Sequence, residues 1–135
     1  MANALYDKGR NKFAQGDAHW KSGGDTFKAA LVDNNYTPDL ANHEFWSEVS
    51  AKKVGTPQAI TLSDPIAGVC DGGDVTFSAV TGNQVNFVVI YKDTGVEATS
   101  PLIVCIDTAT GLPVTPNGGD IQVQWDNGSN KIFKL

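Results

Sequence analysis

The side chains with chemistry to offer are two histidines, two cysteines and a set of carboxylates, and their spacing decides what they can do. His43-Glu44 could open a zinc-peptidase helix. The run His43-Glu44-Phe45-Trp46-Ser47 lacks the second histidine one turn on that such a helix needs as a metal ligand. A zinc site drawn from His19, His43, Cys70 and Cys105 would gather four single residues from distant positions, without the short paired spacing of known ligand sets. Neither cysteine has a neighbouring cation to favour its thiolate, so nucleophilic use is not indicated. No Gly-x-Ser-x-Gly elbow or Gly-x-x-x-x-Gly-Lys phosphate loop occurs. Asp71 and Asp74 bracket Gly72-Gly73, where aspartate serves turn geometry, whereas a glycosidase needs two carboxyls facing each other across a cleft. Asp126-Asn127-Gly128-Ser129-Asn130 alternates oxygen donors like a calcium loop. It lacks the glycine at the sixth position and a closing acidic residue, so a tight turn between Trp125 and Ile132 is expected instead. The residues predict no catalytic group, no metal site and no cofactor.

The bulk properties point the same way. At 135 residues and 14.3 kDa, the chain has the size of one domain able to bury a core without metal or disulfides. Net charge −5 and a pI near 4.7 disfavour sheathing nucleic acid, which needs clustered Lys and Arg; Lys52-Lys53 is the one adjacent basic pair. No stretch approaches the roughly 20 apolar residues of a membrane span. The first residues lack the apolar core of a secretory signal, so synthesis in a cytoplasm is expected. Cys70 and Cys105 then stay reduced, and their apolar neighbours predict buried, inert thiols.

The elements that would position these residues are mostly strands. Residues 1–16 read as a helical or extended arm, with Leu5, Tyr6 and Phe13 forming an apolar stripe that docks on the body or on a neighbouring subunit, and Gly16 as its stop. Residues 17–25 read as a loop carrying Trp20. Thr26–Val32 is a strand, and one or two short helical turns are predicted near residues 38–49, with Thr37 as N-cap and Phe45, Trp46 and Val49 facing the core. Further strands are expected at Gln58–Leu62, Ala67–Cys70, Val75–Val80, Val85–Tyr91, Leu102–Ile106, Ile121–Trp125 and Lys131–Leu135. Val85–Tyr91 is apolar on both faces and so belongs at the centre of a sheet. Thr108–Gly119 is a long connection containing Pro113 and Pro116. The whole reads as a single domain, 1–135, mainly β, with an antiparallel sandwich or barrel-like body over 26–135.

Trp46 and Trp125 are expected in the core, whereas Trp20, set among polar loop residues, is the candidate exposed anchor. Leu5, Tyr6, Phe13, Trp20, Tyr36, Pro113 and Pro116 are the candidate interface residues.

Several blocks resemble small structural proteins encoded in the virion gene clusters of tailed phages. They are Met1 through Arg10, Ala30-Leu31-Val32-Asp33, His43-Glu44-Phe45, Ile90-Tyr91-Lys92-Asp93-Thr94-Gly95, Ile106 through Val114 and Trp125-Asp126-Asn127-Gly128. The resemblance implies a non-enzymatic virion component made in a bacterial host cytoplasm. It further implies a capsid cement or decoration protein that sits on the outer capsid surface and bridges subunits of the major capsid protein. A homo-oligomer, dimer or trimer, is natural near symmetry axes. The alternatives are a tail or head–tail component and a virion-displayed carbohydrate-binding module served by Trp20 or Tyr36.

Overall fold

Eight consecutive residues, Val85–Lys92, alternate so that apolar side chains leave both sides of the chain, and they form β6, the central strand of a five-stranded antiparallel sheet. Its neighbours are β2 (Phe27–Asp33) and β7 (Leu102–Ile106); β3 (Lys53–Ala59) and the two-residue β1 (Ala4–Leu5) complete the order β1-β7-β6-β2-β3. The computed structural model describes residues 4–107, 112–125 and 131–134. The expected turn at 126–128 lies outside these, as do residues 108–111 of the long connection. Two short ribbons complete the β structure: β4 (Val69–Cys70) with β9 (Phe133–Lys134), and β5 (Val75–Phe77) with β8 (Ile121–Val123). The chain is therefore mainly β with antiparallel sheets, and the described residues include one short α-helix, α1 (Asp7–Ala14).

Because strand side chains alternate, the sheet divides the interior into two cores. Phe27, Ala29, Leu31, Val85, Val88, Ile90, Val104 and Ile106 face one side, where the ribbons cover them with Cys70, Val75, Phe77, Val123, Ile132 and Phe133. Ala30, Val32, Val89, Tyr91, Leu102 and Cys105 face the other, under Tyr6, Tyr36, Trp46 and Val49. Each fully buried Leu or Ile contributes about 1.5–3 kcal/mol by leaving water. In β7 the partners step from Ile90↔Val104 to Tyr91↔Leu102, so Ile103 is an extra residue that joins Val104 in the first core.

Three sequence expectations change. The arm is extended first and helical second: β1 pairs with β7, and α1 runs only from Asp7 to Ala14, with left-handed Gly16 (φ 78°) as its stop, as expected. Gly9 makes this docking possible, because a Cβ there would meet the Ile103 Cα at 3.0 Å and the Leu102 carbonyl oxygen closer still. The segment near 38–49 has no helix starting at Thr37. It makes single 3-10 turns at Trp46–Glu48 and Ser50–Lys52, and the Glu48 carboxylate accepts the N–H groups of Glu44 (2.5 Å) and Phe45 (3.1 Å). A carboxylate cap within the segment outcompetes Thr37 as the start signal. Phe45 is half-buried, while Trp46 and Val49 are core as predicted. The strand expected at 58–62 lies earlier, at β3, and is irregular. Ala29↔Gln58 is followed by Leu31↔Val54, leaving Gly55, Thr56 and Pro57 opposite Ala30 alone. This bulge hides the strand's period from the sequence.

Candidate functional site

The side chains singled out for chemistry are committed to holding the fold. Asp71 gives its backbone carbonyl to the Trp20 indole N–H (2.9 Å), and Gly73 does the same for Trp125 (2.8 Å). The Asp74 carboxylate accepts the Trp125 backbone N–H at 3.1 Å. Two tryptophans far apart in sequence thus clamp the 71–74 segment, which is extended and bridged at Gly72 to Leu62 instead of forming the turn expected of these aspartates. His19 donates its backbone N–H to Asp25 and sets its ring Nδ1 3.1 Å from the same carboxylate, which also pairs with Lys92 at 3.4 Å. His43 Nδ1 lies 2.9 Å from the Tyr36 hydroxyl, which meets the Tyr6 hydroxyl at 2.7 Å. Burial pushes the Tyr36 phenol up to about 12 and raises Tyr6 further. It also pushes the Cys70 thiol up to about 11 and Cys105 to about 12, which keeps both thiols neutral and weakly nucleophilic. Among the described residues no group of three or more His, Cys, Asp or Glu converges as a metal site, and no helix is long and apolar enough to cross a membrane.

Several expected interface residues belong instead to the cores. Trp20, 4% exposed, packs edge-on to Phe133 and tilted on Phe27 in the first core. The polar neighbours that suggested an exposed loop point outward while the indole turns in. Leu5 is buried in the same core, and Tyr6 is fully buried in the second. Tyr36, 5% exposed, is the lid of that second core, stacked on His43. Pro113 is exposed and lines a cleft of about 320 Å³ with Pro38, Asn86, Phe87 and Asp107. Pro116 is half-buried beyond Val114, which bridges to Val85.

Phe13 has a different place. It is half-buried, stacked on Phe27 and tilted on Phe133, and one edge lines an open cleft of about 450 Å³ shared with Arg10, Ala14 and Lys134. Beside it stands a hairpin that the sequence did not single out. Leu62 bridges Gly72, the Ser63 N–H donates to the Asp71 carbonyl, and Ile66 and Val69 exchange both backbone bonds (3.2 and 2.9 Å). Between them Ala67 (φ 54°) and Gly68 (φ 80°) are both left-handed, the geometry of a two-residue hairpin turn. Ile66, at its tip, is 79% exposed, and Val96 on the turn after β6 is 56% exposed. The one signal for this hairpin was Ala67-Gly68 between two β-branched residues, short of the usual Asn-Gly.

No protein-family model matches the sequence, and no curated protein matches it either.

Proposed function

We propose that the chain is a non-enzymatic structural module of a phage particle, acting as a cement or decoration protein that docks on the assembled shell through side chains displayed on a rigid β body. The observation that carries this reading is the projecting 62–72 hairpin. A fold that buries Trp20, Tyr6 and Tyr36 nonetheless holds Ile66 out in water at the tip of an ordered turn. A large apolar side chain held on an ordered turn is the kind of group that a contact surface uses. The sequence blocks quoted above supply the virion context. Repetition around a symmetric shell would make many weak contacts collectively strong.

The sugar-binding alternative loses its basis, because Trp20 and Tyr36 have no free ring face to stack on a sugar. A tail or head–tail location uses the same kind of surface and differs only in where the protein sits. Labelling the protein in purified particles and imaging them decides between the two. Signal over the head is expected. Signal confined to tails rejects the cement role, and none on particles rejects the virion reading altogether.

A further inference from the structure

The outer face of the β4–β9 ribbon and the adjoining flank of α1 form one surface. Directly opposed residues of antiparallel strands point to the same side. Ile66 opposes Val69, and Val69 opposes Lys134, so the three make a row across the ribbon, while Cys70 and Phe133, one residue on, turn into the core. At about 4.8 Å per strand, the row spans about 10 Å. Lys134 is also a wall of the cleft that holds Arg10, Phe13 and Ala14, so the row runs on into that cleft.

Charge adds to this. Lys8 and Lys12 pair with Glu44, Lys28 with Asp93 and Lys92 with Asp25. Among the described residues the other cations have no carboxylate partner, and two of these, Arg10 and Lys134, line the same cleft with Phe13 and Ala14. On a chain of net charge −5, two unpaired cations around an apolar cleft form a local positive site. A second copy of this face would bring the same two cations and no carboxylate among the described residues that line the cleft, so an acidic partner is the better complement.

We propose that this face is a docking site for an acidic segment of a partner protein carrying one apolar side chain. The apolar group enters the Phe13–Ala14 cleft, carboxylates meet Arg10 and Lys134, and Ile66 covers the segment from the hairpin tip. The inference rests on reading the chain as a structural module and names the chemistry of what it docks against.

The test uses the isotope-labelled full chain and two synthetic peptides, one with a leucine among aspartates and one with the same leucine among lysines. Amide shifts on adding the acidic peptide should be confined to residues 10–14, 66–69 and 134. R10E/K134E should weaken binding about tenfold, as expected for losing two charge contacts and gaining two repulsions, and high salt should act in the same direction. Ile66→Ser should weaken it less, with the spectrum otherwise unchanged. Equal binding of the lysine peptide, shifts centred elsewhere, or full binding by R10E/K134E would overturn the proposal. So would a concentration-dependent oligomer that R10E/K134E abolishes, since the occupant would then be a second copy. Failure of the parent reading looks different: the acidic peptide binds as described, but the protein is absent from purified particles.

Discussion

The five-stranded sheet and the two ribbons are both antiparallel, but they are held by different means. In the sheet, β6 is laddered to β2 along its length and to β7 from Val88 to Tyr91, and its side chains enter two cores. The ribbons have two or three paired positions each, too few to stand alone. They keep their place through side chains: indole N–H bonds from Trp20 and Trp125 to the 71–73 backbone, the Asp74 bond to Trp125, and ring contacts of Phe133 with Phe13 and Trp20. The sheet is thus a continuous backbone structure, and the ribbons are pinned at a few points. The surface proposed for docking joins one of these pinned ribbons, β4–β9, to α1.

Breaking the sheet should have the largest effect. Leu31→Ala empties a fully buried site between β2 and the ribbons and should cost about 2–5 kcal/mol, with both regions melting together in denaturant titrations. If the ribbons alone were lost, the two regions would be independent and the comparison wrong. Gly9→Ala comes next. The new methyl meets β7 backbone, not a flexible side chain, and about 2 kcal/mol is expected, against the gain an alanine normally brings inside a helix. Increased stability in thermal melts would show that α1 can shift away without loss.

Trp20→Phe keeps an aromatic ring in place but removes the indole donor, leaving the Asp71 carbonyl without it. About 1 kcal/mol is expected, felt locally. Hydrogen exchange should quicken at residues 69–77 and 121–123 and stay unchanged in β6. Uniform quickening would mean the ribbons are not separately pinned.

The smallest effect concerns pH. The Asp93 carboxyl is held below its ordinary value first by the Gly95 N–H, against the opposing effect of burial, and then by Lys28 at 3.0 Å. A lowered folded-state value contributes stability above the ordinary carboxylate range, and that contribution is lost as pH falls through the folded value. Asp93→Asn should therefore cost less than about 1 kcal/mol at neutral pH, after screening, with the difference shrinking below about pH 4. An equal gap at pH 7 and at strongly acidic pH would assign the loss to geometry instead of charge.

The same contrast explains what could be read from the sequence. Strands laddered on both sides reveal themselves by their own residues. β7 is a continuous apolar run, β6 and β2 are nearly so, and their limits fall within a residue or two of expectation. Where position depends on a distant partner, the local pattern misleads. Trp20 sits among Asp17, His19, Lys21 and Ser22 and reads as exposed, because the Asp71 carbonyl that draws it inward is 51 residues away. Tyr6 and Tyr36 are 30 residues apart and satisfy each other's hydroxyls in the interior, which no spacing rule detects. Phe13 alone of the expected apolar stripe keeps an edge at a cleft, and Lys134 reached that cleft only through pairing with Val69.

The bulge in β3 has a consequence for crowding. This strand ends the five-stranded sheet, and a terminal strand normally offers its spare N–H and C=O groups to any chain that comes alongside. Here Gly55 turns left-handed at φ 73°, Pro57 has no N–H to give, and Lys52-Lys53 place two positive charges at the strand's start. No long, flat row of donors and acceptors is left for a second molecule to extend. At this edge, crowding the protein brings molecules together without giving them a template for pairing strand to strand.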